Sequence, residues 1–399
     1  MSLQHGRPYL AIPGPSVIPD RVLNAMHRAA PNIYHGELVE MVPGLMRDLK
    51  SVARTRAGHA AIYIANGHGA WEAAVANVFS PGDRALVLAT GRFAHGWAEI
   101  ARRMGVGIEV IDFGKRAPVD LARVAEALAA DRAHAYKAVM LVQVDTSTSV
   151  RNDIKGLRGV LDDLDHPALL MVDCIACLAC DAFEMDDWGV DVMVAACQKG
   201  LMTPPGLGFV FYSDKADAAR ETARCVTHYW DWRPRSDPSE FYQYFDGTAP
   251  THHLYGLRAA LDMIGEEGLD AVWRRHAVIA QAVWAAFETW GQEGPIQLNI
   301  ADPALRSHAV TSVRAGGPEG TALRTWVEEK AGLTLGIGLG MAERGDPAWH
   351  HFFRVGHMGH VNAHMIMGAL GAIEAGMVAC GLRFAPGGLG AAAGVLARA

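Results

Sequence analysis

ALLMVDCIACLACDAFEMDDWGVDVMVAACQKGLMTPPGLGFVFYS, residues 168–213, contains three apolar runs of strand length, at 168–173, 191–197 and 206–213. The first ends on Asp173, and Lys199 follows the second by two residues. Four more runs precede them: AAIYIA (60–65), RALVLAT (84–90), GIEVIDF (107–113) and AVMLVQV (138–144). Helix-like stretches separate these bursts. Continuously apolar strands alternating with helices predict an α/β fold, a mainly parallel sheet covered on both faces. Such sheets bind ligands at the carboxyl ends of their strands, where Asp173 and Lys199 stand.

The chain has 399 residues, 50% hydrophobic and 20% charged, an ordinary globular composition that allows one large domain and a smaller one. We expect an N-terminal segment at 1–20, a large domain at 21–260, a small C-terminal α/β domain at 261–383 and a loosely held tail at 384–399. That tail includes APGGLGAAAGVLARA (385–399), made mostly of small residues. Forty-three acidic residues against 36 basic ones give a net charge of -7 with no long block of one sign, so nucleic acid and acidic membrane are not expected partners. No apolar run approaches a membrane span, and MSLQHGRPYLAIPGPS (1–16) lacks the build of a signal peptide; a cytoplasmic location is expected. Six cysteines in so long a chain read as thiols rather than a disulfide framework.

A lysine after a strand is most often a surface group. At a strand's carboxyl end, however, burial lowers an amine's pKa and makes it a nucleophile toward carbonyls. A cofactor aldehyde held as a Schiff base needs such a lysine, and a pyridine cofactor also needs an acid at its ring nitrogen. Asp173 alone could be a turn former, but one strand from Lys199 it completes a constellation.

Residues 171–216, MVDCIACLACDAFEMDDWGVDVMVAACQKGLMTPPGLGFVFYSDKA, resemble the lysine region of the class V aminotransferases, in the alanine or serine glyoxylate (serine pyruvate) branch. The resemblance runs from IPGPSVIP (12–19) to FFRVGHMGH (352–360). It implies a fold type I transferase that binds pyridoxal 5'-phosphate and works as a homodimer with shared active sites. Lys199 is then the Schiff-base lysine, and Asp173 the partner of the pyridine nitrogen. In IANGHGAWEAAVANVF (64–79), a glycine turn opens a helix, where backbone amides favour phosphate. The match assigns Asn66, Gly67 and His68 to the phosphate loop, with Asn66 where animal members carry serine. It further implies Phe93 stacked on the ring, Thr146 beside the phenolic oxygen, Gln198 at the phosphate and Ile175 at the cofactor. Thr248 reaches the partner's phosphate, while Phe245 replaces a phosphate-binding tyrosine and Tyr244 faces the other way if that segment is extended. Arg354 clamps the substrate carboxylate; a planar guanidinium suits that role.

Residues 225–250, rich in aromatics and prolines, read as a long functional loop, and Tyr229, Trp230 and Trp232 are candidates for shaping the side-chain pocket. Three other features suggest different chemistry. Cys174, Cys177 and Cys180 have iron-sulfur-like spacing but lack the fourth ligand and its proline, which favours packing thiols. His357, His360 and His364 lie in a histidine-rich stretch with no carboxylate or cysteine close by, a poor metal set. Gly336, Gly338 and Gly340 fall one position short of a dinucleotide fingerprint. The leading expectation is transamination of serine or alanine with glyoxylate or pyruvate. Its closest rival is pyridoxamine-pyruvate transamination; an iron-sulfur, metal-binding or nicotinamide protein is more remote.

Overall fold

A computed structural model describes residues 3–317 and 319–399. Seven strands form the main sheet: β2 (His59–Ala65), β3 (Arg84–Ala89), β4 (Gly107–Asp112), β5 (Tyr136–Val142), β6 (Leu169–Asp173), β7 (Val192–Ala196) and β8 (Gly206–Tyr212), in the order β2-β8-β7-β6-β5-β3-β4. All pairings from β4 to β7 are parallel, whereas β8 runs antiparallel to both neighbours. The reason is length. Between β7 and β8 lie only residues 197–205, too few for the crossover of about a dozen residues that a parallel return needs. The chain therefore doubles back in a tight turn, and that turn carries Lys199.

β6 and β7 are buried along their whole length. Successive side chains point to opposite faces, so Leu170, Val172, Met193 and Ala195 join one core while Leu169, Met171, Val192 and Val194 join the other. This packing on both faces explains the unbroken apolar runs in the sequence. The helix Thr251–Glu267 sends Leu254, Leu257, Leu261 and Ile264 into the first of these cores. Gly268, at φ +84°, ends this helix and separates it from the helix Leu269–Trp290.

The second sheet has the order β1-β11-β12-β10-β9: β1 (Tyr9–Ala11), β9 (Gln297–Leu298), β10 (Val310–Arg314), β11 (Leu333–Ile337) and β12 (Phe352–Gly356). The N-terminal segment thus supplies an edge strand, β1, parallel to β11. The small-residue tail is not loose. It forms the helix Gly388–Leu396 against the helix Leu269–Trp290, with Ala392 fully buried and Gly388 so close to the Trp290 indole that a Cβ there would overlap it. The low complexity reflects close helix contact.

The aromatics of residues 225–250 pack along the edge of the main sheet. Trp232 is buried and stacked on Tyr212 at 4.1 Å, Trp230 packs against Tyr63, and the Tyr229 hydroxyl donates to the Ile64 carbonyl at 3.3 Å. Arg235, buried between the rings of Tyr63 and Tyr229, donates to the carbonyls of Ile62, Tyr229 and Tyr244 and fastens the segment to the sheet edge.

Two histidines, His276 and His357, are fully buried. His276 accepts from the Gly359 N–H at 3.0 Å through Nε2; His357 bonds to Thr311 Oγ1 and the His308 carbonyl, both at 2.9 Å. Burial pushes both down to about 3, so they fold neutral. The unfolded chain binds protons below its ordinary histidine pKa of about 6.5 and the folded chain does not, so stability is lost as pH falls from there. At pH 5 the two together should cost about 4 kcal/mol. Equilibrium denaturation at pH 7 and pH 5 checks this: a variant carrying His276→Gln and His357→Gln should show a correspondingly smaller acid loss.

Candidate active site

The Lys199 turn is held from three sides. Ser16 Oγ and the Met202 N–H both donate to the Lys199 carbonyl, at 2.7 and 3.0 Å, and the Ser16 N–H donates to the Gln198 carbonyl at 2.9 Å. Met202 sits at φ +52°, a left-handed corner just before Thr203 and the two prolines. The amine donates to the Pro13 carbonyl, and the side chain lies across Gly14, where a Cβ would overlap it. Burial, reinforced by the Arg354 charge, lowers the amine to about 8, against the pull of Asp173 and Cys180. A useful fraction is therefore neutral near physiological pH and able to attack a carbonyl.

Asp173 closes β6 and is 3% exposed. The Trp71 indole donates to Oδ2 at 2.8 Å and the Ile175 N–H to Oδ1 at 2.6 Å. Burial raises this carboxyl to about 7, opposed by those two donors. With one donor on each oxygen, lone pairs remain for another N–H.

A cavity of about 300 Å³ joins the two groups. Asn66, Gly67, His68 and Gln198 line it, as do Phe93, Thr146 and Ile175. Asn66 caps the helix Gly67–Val78, its Oδ1 accepting from the amides of His68 at 3.1 Å and Gly69 at 3.4 Å. Those amides are the ones a phosphate would claim, so the cap and an anion compete for them. Ile175 packs so closely on Gly67 that a Cβ there would come within 2.6 Å of Cδ1. Nine of the eleven residues predicted from sequence thus meet in one cavity.

Arg354 and Thr248 lie outside that lining. On β12 and buried, Arg354 donates from Nε to the Ile337 carbonyl at 2.7 Å and from Nη1 to the Thr146 carbonyl at 2.8 Å, immediately behind a lining residue. Thr248 is exposed. Residues 241–244 form a 3-10 turn rather than an extended strand; Phe245 is buried in the large-domain core, and Tyr244 is half-buried beside it.

Sequence reasoning missed two residues. Trp71 lines the cavity, and its only signal was the spacing of four from Gly67, which places both on one helix face. Asp145, fully buried, accepts from the amides of Phe93 at 2.8 Å and Ser147 at 2.9 Å, so it fixes the aromatic ring's backbone. The features suggesting other chemistry have structural places. Cys174 and Cys177 both point their sulfurs at Gln143 Oε1, at 3.3 and 3.1 Å, and burial raises both thiols. Among the described residues, no group of three or more His, Cys, Asp or Glu is placed to hold a metal ion. Gly338 and Gly340 allow close contact with Phe352 and Arg92, and a 3-10 turn, Pro347–His351, follows them where a dinucleotide site needs a helix. Nor is any described helix long and apolar enough to cross a membrane.

These residues fit a pyridine aldehyde bearing a phosphate: a neutralisable amine, a buried carboxylate with spare lone pairs, an aromatic ring and a helix start free of side-chain bulk at Gly67. Comparisons with known proteins agree. Residues 9–348 match the family Aminotransferase class-V. Serine--glyoxylate aminotransferase of Arabidopsis thaliana is 35% identical over 376 residues, 92% of this chain and 90% of that protein. L-aspartate--glyoxylate aminotransferase of Paracoccus denitrificans is 34% identical over 380 residues, 93% of this chain and 91% of that protein. The crystal structure of pyridoxamine-pyruvate aminotransferase from Mesorhizobium loti superposes with a TM-score of 0.87 at 25% identity, over the whole of both chains. With its lysine turn, its acid-bearing strand and its sequence all in agreement, the chain belongs to the class V aminotransferases, enzymes whose cofactor is pyridoxal phosphate.

Proposed function

We propose that the protein transfers the amino group of a small amino acid, serine or alanine, to a small 2-oxo acid, glyoxylate or pyruvate. The observation that carries this reading is the convergence of Lys199 and Asp173, from the ends of adjacent strands, on a cavity that begins at the Asn66 helix start. Pyridoxal phosphate supplies an aldehyde that condenses with amines and a ring that takes up the electron pair left at Cα. Lys199 would hold it, and its amine would move the proton at Cα as general base and acid. Asp173 accepts the ring N–H and keeps it charged. Phe93 would stack on the ring, Thr146 would bond its phenolic oxygen, and Ile175 would pack against the cofactor. Asn66, Gly67, His68 and Gln198 hold the phosphate. The active unit is a homodimer in which Thr248, exposed in the single chain, reaches the phosphate bound by a second copy.

Arg354 orients the substrate carboxylate. Two of its guanidinium nitrogens donate to carbonyls, and the Asp145 charge favours its charged form. Arg354→Ala should raise KM about 10- to 100-fold for donor and acceptor alike while lowering kcat less, as loss of a charge-assisted bond does. A panel of serine, alanine, glycine and aspartate against glyoxylate and pyruvate tests both claims. Aspartate as best donor would overturn the small-substrate reading, and unchanged KM values would move the clamp elsewhere. The likeness to pyridoxamine-pyruvate aminotransferase supports a second reading, in which free pyridoxamine is the donor. A purified protein that is colourless and gains no band with added pyridoxal phosphate would favour it.

A further inference from the structure

Trp71 is 1% exposed, yet its indole reaches the cavity. Three rings fix its plane: Trp97 stacks on it at 6.2 Å with 14° between planes, Phe93 meets it edge-on at 6.2 Å, and His68 lies tilted at 4.7 Å. So held, Nε1 points at Asp173 Oδ2 and provides the one side-chain donor that the carboxylate receives among the described residues. We propose that Trp71 is a positioning residue of the reaction: its indole N–H holds Oδ2 of Asp173 so that the carboxylate stays ionised with its remaining lone pairs toward the cofactor's ring nitrogen. The inference rests on the reading of Asp173 as that nitrogen's partner.

The physical need is plain. A carboxylate at a buried strand end is driven to protonate, and Asp145, on the segment after β5, pushes in the same direction. Opposing them are Lys199 from the turn after β7, the Ile175 amide and the Trp71 indole. The thiol of Cys174 and the imidazole of His68 flank the site; burial keeps the first protonated and favours the neutral form of the second. Of the opposing groups, the lysine changes its charge and partner during turnover, and the amide is fixed by the backbone. The indole is a permanent side-chain donor, and a tryptophan has no acceptor with which to favour the protonated acid.

The test uses the holoenzyme and three variants. Trp71→Phe keeps a ring and deletes the donor. Trp97→Phe disturbs the same stack but deletes an N–H that is buried with no partner. Asp173→Asn tests the underlying reading. Two quantities are followed against pH: kcat/KM and the absorption band of the bound cofactor. In Trp71→Phe the acid limb of both should move up by about one pH unit, the tenfold change that one hydrogen bond to a carboxylate makes. Trp97→Phe should move neither. Equal shifts in both tryptophan variants would reduce Trp71 to packing, and no shift in Trp71→Phe while Asp173→Asn is crippled would also overturn the proposal. An unimpaired Asp173→Asn would remove the reading of Asp173 and this inference with it. Should Trp71→Phe fail to fold, the ten indole N–H resonances of the native enzyme can be compared with those of Asp173→Ala. One should move upfield on losing its carboxylate, and ten unmoved indoles would overturn the proposal.

Discussion

Replacing Lys199 by alanine should leave a folded protein whose transamination falls by at least about 10³-fold. Removal of a positioned general base alone costs about 10²–10⁴, and here the same amine also holds the cofactor in place. Stability should barely change. The amine lies in a site that lowers it to about 8, its one hydrogen bond among the described residues is to the Pro13 carbonyl, and deleting it ends the burial of a charged group. The turn keeps its shape without the side chain, because Ser16 and Met202 grip the backbone carbonyl. Melting temperature and kcat should therefore separate cleanly, one constant and the other collapsed. Borohydride reduction followed by peptide mapping gives the complementary result: cofactor mass on Lys199 in the native protein and on no lysine in the variant. Turnover within tenfold of wild type would remove Lys199 from the mechanism.

How far the sequence leads depends on which interactions are local. β5 to β7 are legible because a strand buried on both faces must be apolar throughout, and Asp173 and Lys199 stand out as the polar groups at or just beyond two such ends. The reversal of β8 follows from the length of the 197–205 connection, which could have been counted in advance. Trp71 and Asp145 were harder. Each acts through one long-range hydrogen bond, from Trp71 to a residue 102 positions away and from Phe93 to Asp145 across 52. Periodicity assigns a tryptophan in an alanine-rich helix simply to the core. The tail misled for a related reason. Small residues lower side-chain burial and raise backbone freedom, but Gly388 and Ala392 also permit the close approach of two helices, and only the facing Trp290 reveals which effect wins. The packing of the aromatics at 229–232 was not legible because their partners, Tyr63 and Tyr212, lie on strands far back in the chain.

Asp173→Ala should reduce kcat/KM by about 10²–10³, the usual loss when one preorganised electrostatic partner is deleted from a closed site. The deletion acts twice. The ring nitrogen would lose its counter-charge, and with it the ring's capacity to take up electrons. The indole of Trp71 and the amide of Ile175 also lose their acceptors and stay buried with unmet donors. The variant should consequently lose some stability as well, about 1–3 kcal/mol for each unmet donor unless water enters the space vacated. Asp173→Asn separates the two effects. It preserves volume, but a carboxamide has one oxygen where both carboxylate oxygens now accept, so its NH₂ must face either Trp71 Nε1 or the Ile175 N–H. Loss of activity in both variants, with the smaller stability loss in the asparagine protein, would assign the catalytic effect to charge. If both retain kcat/KM within tenfold of wild type, the ring nitrogen has another partner. Asp145 is then the first residue to test, being a buried carboxylate whose charge already acts on Asp173.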